Sequence, residues 1–137
     1  MSRPRVLLID DDDTVRSTLS DVLDEAEFEV VEAGNGREGL DMFLANPTDV
    51  LITDILMPEM EGLETIAAIR KASPEAKILA ISGGGHTRDL QFLEMSRQLG
   101  AGVVLAKPFL PEDLVDAVVA LLKPAVDEKG RGGRKAS

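Results

Sequence analysis

Cysteine is absent from the 137-residue chain, which rules out a disulfide frame and a zinc site built on thiolates. Tryptophan and tyrosine are missing too, and histidine occurs once, at His86. No second ligand stands near it for a metal, so it reads as a loop residue. Nowhere does an apolar run approach the roughly 18 residues of a membrane span. The short run Val6 to Ile9 stops against four acids, Asp10 to Asp13, where a signal peptide would continue. A soluble, cytoplasmic protein is expected. Basic residues are scarce: 15 Lys and Arg stand against 25 Asp and Glu, a net charge of −10. Binding a polyanion requires clustered cations that displace counterions, so nucleic acid is not an expected partner, and without a long apolar run neither is a membrane.

What is present suffices for one domain. With 44% hydrophobic residues the chain can bury a core without staples. Residues 1–123 hold 11 basic and 23 acidic side chains, whereas residues 124–137 hold 4 and 2. The domain is therefore drawn at 1–123. Residues 124–137, with their Gly-Arg-Gly-Gly-Arg-Lys stretch, read as a flexible basic tail and not as an output domain.

Strand and helix signals alternate five times. Arg5 to Ile9 is a strand, and Val15, Leu19, Val22, Leu23 and Ala26 follow at helical spacing, with Asp13 or Thr14 as N-cap. Phe28 to Ala33 is a second strand, turned by Gly34-Asn-Gly36 into a helix with Leu40, Phe43 and Leu44 on one face. Val50 to Asp54 is an apolar strand ending on one acid. A helix carrying Leu63, Ile66, Ala67 and Ile69 follows and closes near Ser73-Pro74. Lys77 to Ile81 leads to Ser82 and three glycines; a helix over about 88–99 ends at Gly100; Val103 to Ala106 leads to Lys107-Pro108. Leu110 or Pro111 opens a fifth helix running to about Lys123. Five such βα units predict an α/β fold, a parallel sheet with helices on both faces.

Polar groups sit where these strands end: Asp10 and Asp11, Asp54, Ser82 and Lys107. In an open parallel sheet the carboxyl ends share one edge, and ligands bind where the strand order reverses. Groups up to 97 residues apart would converge there. Carboxylates about 4 Å apart repel by on the order of 4 kcal/mol at an effective dielectric near 20, so the acids need a cation, and a few hard oxygens with water suit Mg²⁺. Opposite them, Lys107 and Ser82 shape the pocket for a phosphoryl group, with Asp54 as a nucleophile that forms an acyl phosphate.

Leu8-Ile-Asp-Asp11 with Arg16 beyond it, Asp54-Ile-Leu-Met-Pro58 with Gly62, Ser82, and Lys107-Pro-Phe109 together resemble the receiver domains of two-component response regulators, over about residues 4–123. The resemblance implies a flavodoxin-like (βα)5 three-layer sandwich, doubly wound in the order 2-1-3-4-5. It implies that Asp54 accepts a phosphoryl group from a sensor histidine kinase or a histidine phosphotransfer protein. Asp11 would ligate Mg²⁺ directly, Asp10 mainly through water, with Asp54 and the Leu56 backbone carbonyl as further ligands. Lys107 would pair with the phosphoryl oxygens and Ser82 would hydrogen-bond one of them. A cis Lys107-Pro108 bond is expected. Leu56 and Gly84 would shape the path of water to Asp54 and so the rate of self-dephosphorylation.

Two departures from that pattern bear on output. Val104 stands where many receivers carry an aromatic switch residue, and the stretch from Ser82 to Lys107 is about three positions longer than in chemotaxis-type receivers. Wide apolar arcs at Leu90, Phe92, Leu93, Met95 and Leu99, and at Leu114, Val115, Val118, Val119 and Leu121, mark the face of the fourth helix, fifth strand and fifth helix as the surface for a downstream protein target, on a monomer or weak dimer. Asp10-Asp-Asp-Asp-Thr-Val15 also fits the opening motif of haloacid-dehalogenase-type phosphatases, with Asp10 as nucleophile and Asp12 as general acid. Against that alternative, no later strand ends in an acidic pair and no cap encloses a substrate. A binding module of the same shape without phosphotransfer is the third reading.

Overall fold

Runs of Val, Ile and Leu too short for helices form the strands, and the acids, glycines and prolines between them set where each strand stops. The computed structural model describes residues 3–55, 61–82, 94 and 102–123. Within them lie β1 (Arg5–Ile9), α1 (Asp13–Glu25), β2 (Glu29–Ala33), α2 (Gly36–Ala45), β3 (Val50–Asp54), α3 (Glu61–Ala72), β4 (Ile78–Ser82), β5 (Val103–Ala106) and a last helix, Pro111–Leu122. Of the helix expected over 88–99 only Glu94 is described, and it is helical. Leu56, Gly84, His86, Phe92 and the tail at 124–137 lie outside the described residues.

The sheet is parallel and ordered β2-β1-β3-β4-β5, as the resemblance to receiver domains implies. Because β2 and β3 lie on opposite sides of β1, the order reverses between β1 and β3, the place where sheets of this kind bind ligands at the carboxyl ends of their strands. Side chains alternate between two cores. Leu7, Ile9, Leu51 and Ile78 pack with Phe43 of α2 and Leu63, Ile66 and Ile69 of α3. On the other face Val6, Leu8, Ile52, Leu79 and Ile81 pack with Leu19 and Leu23 of α1 and Leu114, Ala117 and Val118 of the last helix. Every residue of β3 is buried, as expected of a central strand covered on both faces. β5, at the edge, is half-buried.

Three local expectations are corrected. Asp12, not Asp13 or Thr14, caps α1: its side chain accepts the Val15 N–H, and Asp13 begins the helix. Leu44 is 53% exposed and does not share the buried face of Phe43. Ala67 likewise points to solvent while Ile66 and Ile69 are buried. A helix of α2's length has a contact stripe narrower than the sequence allowed, and four residues after Leu40 the stripe has turned away from the sheet.

Candidate functional site

Strand register brings the acids together. Ile9 is level with Thr53 across the β1–β3 pair, so the next residues, Asp10 and Asp54, leave the sheet side by side at the point of reversal. Both are buried, at 2% and 8% exposure. Such burial is costly for a charge, and the neighbours decide whether it is tolerated. Burial foremost, then the charges of Asp54 and Asp11, hold the Asp10 carboxyl above its ordinary value, while the Asp12 N–H and Lys107 oppose them.

A short turn fastens Asp10. Its N–H donates to the Ala33 carbonyl (3.2 Å), and its Oδ1 accepts the Asp12 N–H (2.9 Å). Arg16, one turn into α1, donates Nη1–H to the Asp10 carbonyl (2.6 Å), Nε–H to Glu32 Oε1 (3.1 Å) and Nη2–H to Asp13 Oδ1 (2.7 Å). The Asp13 and Glu32 carboxylates favour the charged guanidinium, the Asp13 bond most. Asp11, next along the turn, is exposed.

From the other side comes the cation. Ser82 ends β4 and is level with Ala106 of β5, so Lys107 leaves the sheet one residue beyond it. The Lys107 ammonium reaches back to 3.6 Å from Asp54 Oδ2. Lys107-Pro108 is cis, as expected. At the foot of Asp54, Thr53 Oγ1–H donates to the Asp54 carbonyl (3.2 Å), and α3 begins so close that a Cβ on Gly62 would lie 2.3 Å from that same carbonyl oxygen.

Hard oxygens crowded beside one ammonium suit a cation that takes few carboxylates and keeps water, as Mg²⁺ does. Among the described residues no group of three or more Asp, Glu or His side chains is gathered closely enough to hold a metal ion by itself. Asp12, the general acid of the phosphatase alternative, caps α1, its Oδ1 accepting the Val15 N–H.

The response regulator receiver domain model matches residues 6–119. The chain belongs to the response regulator receiver family. Chemotaxis protein CheY of Thermotoga maritima is 37% identical over 115 residues, covering 83% of this chain and 93% of that protein. Transcriptional regulatory protein SrrA of Staphylococcus aureus is 30% identical over 118 residues, 86% of this chain, which spans about half of that longer regulator (47%). Among solved structures, chemotaxis protein CheY4 of Vibrio cholerae superposes with a TM-score of 0.78 at 32% identity, over 88% of this chain and 100% of that one. A CheY-like receiver domain protein from Methanospirillum hungatei gives 0.79 at 28% identity, over 96% and 100%.

In this receiver, Asp10, Asp54 and Lys107 meet at the strand ends, Asp11 stands on the adjoining turn, and Ser82 ends the intervening strand. The Arg16 brace and the closeness of Gly62 were not read from the sequence as working parts. Asp13 and Arg16, three apart on a helix, are a recognisable ion pair, but Glu32 joins them only in three dimensions. No helix among the described residues is long and apolar enough to cross a membrane.

Proposed function

We propose that this receiver takes a phosphoryl group on Asp54 and signals through it. The observation that carries this reading is the nearly buried Asp54 carboxylate at the sheet's switch point with the Lys107 ammonium 3.6 Å away. The donor is a phosphohistidine of a sensor kinase or phosphotransfer protein. A carboxylate oxygen of Asp54 attacks phosphorus, the P–N bond breaks, and the imidazole leaves with the electron pair and takes up a proton. Lys107 offsets the charge on the phosphoryl oxygens, and Ser82 hydrogen-bonds one of them. Asp11, Asp10, Asp54 and the Leu56 carbonyl would hold Mg²⁺, which when bound screens the repulsion between the carboxylates and the incoming phosphate.

Receivers of this family act as signalling domains, and output here is a phosphorylation-dependent protein contact or onward transfer to another histidine. The last helix supports a contact surface beside edge strand β5: Leu110 is 57% exposed and Val119 42%. Residues 1–123 form the receiver in this reading. Phosphoramidate, a small P–N donor, tests the chemistry: with Mg²⁺ it should give an adduct that hydroxylamine removes, as it does acyl phosphates. An adduct that resists hydroxylamine, or that forms equally well in a chelator, would contradict the reading.

A further inference from the structure

The acids of this site hang from a peptide bond that a cation holds from behind. Arg16 is only 17% exposed, far more covered than its partners Glu32 (42%) and Asp13 (88%). Its guanidinium has three acceptors from three parts of the fold: the Asp10 carbonyl just past β1, a carboxylate in the first turn of α1 and one on β2.

Which acceptor is used beyond the end of β1 matters. Arg16 holds the backbone carbonyl of Asp10, the oxygen of the peptide linking Asp10 to Asp11, so its bond sets the plane from which both carboxylates project. Neighbouring bonds leave that plane little freedom: the Asp10 N–H is tied to Ala33 O, and the Asp12 N–H to Asp10 Oδ1. Only a planar fork can serve the three acceptors at once; a lysine offers the charge without the geometry.

We propose that Arg16 is a positioning residue, which fixes the Asp10–Asp11 peptide, braced by Glu32 and Asp13, so that the two carboxylates are preset to take Mg²⁺. This rests on the reading of the site as Mg²⁺-dependent. It makes a prediction whose sign separates it from a simple field effect. Deleting a positive charge beside a divalent-cation site strengthens binding by Coulomb's law; losing the geometry weakens it.

Calorimetric titration of Mg²⁺ into the full chain without phosphodonor, at a temperature where circular dichroism shows each variant folded, distinguishes the two. Arg16→Met and Arg16→Lys should both weaken Mg²⁺ by about tenfold or more, the usual cost of losing a group that orients a metal ligand. Equal or tighter binding by Arg16→Met, or wild-type affinity in Arg16→Lys, would overturn the proposal. Should the Arg16 variants fail to fold, Glu32→Gln decides, measured at about 0.5 M salt so that its lost charge is screened. Weakening that persists there supports the brace, and unchanged affinity overturns it. A wild-type chain that takes no Mg²⁺ would instead bring down the metal-dependent reading itself, which is recognisable because no variant is needed to see it.

Discussion

Lys107 Nζ lies 3.6 Å from Asp54 Oδ2 although β4 separates the strands that carry them. The long lysine stem crosses the end of β4 and sets a cation against a carboxylate that is only 10% exposed in its side chain. In so covered a place a preorganised charge acts with little reorganisation.

Lys107→Met should therefore slow phosphorylation of Asp54 at saturating Mg²⁺ by about tenfold or more, toward the lower end of what losing one such group costs, because Lys107 is partly solvated. Single-turnover labelling with a small phosphodonor reads this directly. An unchanged rate would mean that the ion pair belongs to the resting state alone.

Asp10 links the site to stability. Its folded carboxyl holds a proton more tightly than the unfolded one, chiefly through burial. Its favourable contribution is thus present below the ordinary aspartate value and lost as pH rises through the elevated folded value, so at neutral pH its charge works against the metal-free fold. Asp10→Asn keeps the oxygen that accepts the Asp12 N–H and should raise the melting temperature at pH 7 by a few degrees. The advantage should shrink as pH is lowered. Mg²⁺ should stabilise the wild type more than the variant, and thermal melts with and without Mg²⁺ at two pH values check all of this.

Gly62 tests how tightly α3 sits on the strand end. A Cβ there would lie 2.3 Å from the Asp54 carbonyl oxygen and 2.5 Å from the Ile55 Cα, backbone atoms that cannot step aside. Gly62→Ala should cost about 1–3 kcal/mol, as overpacking does, and impair phosphorylation with it. Gly34→Ala is the control: its nearest contact would be Arg16 Nη1 at 3.5 Å, an ordinary distance, and the cost should stay within about 0.5 kcal/mol. Denaturant midpoints separate the two.

Much of this arrangement was legible in the sequence because it depends on local order. An apolar run ending on Asp54 and a βα repeat that puts strand ends on one edge needed no distant information, and β3 and β5 fall at the expected residues. The cap of α1 was missed by one residue because four consecutive acids make equally good caps, and only the Asp12 N–H bond to Asp10 Oδ1 selects Asp12. Leu44 looked buried because periodicity marks a face without giving its width. The Arg16–Glu32 contact spans 16 residues and two elements, and nothing local announces it.

Two neighbouring valines of the last helix separate surface from core. Val118 is fully buried and Val119 is 42% exposed. Val119→Gln should leave thermal stability within about 0.5 kcal/mol and leave phosphorylation intact while removing a partner contact made on that face. Val118→Gln should cost several times more, since it buries an amide among Leu, Ile and Phe side chains. Equal damage from both would place Val119 in the core and not on a docking surface.

The central claim is that Asp54 is the acceptor. Intact mass, recorded on the wild type and on Asp54→Asn after exposure to acetyl phosphate with Mg²⁺ or with a chelator, tests it most directly. One added phosphoryl group on the wild type, dependent on Mg²⁺ and missing from the variant, is the expected result. An adduct that persists in Asp54→Asn and disappears in Asp10→Asn would contradict it and move the nucleophile to β1.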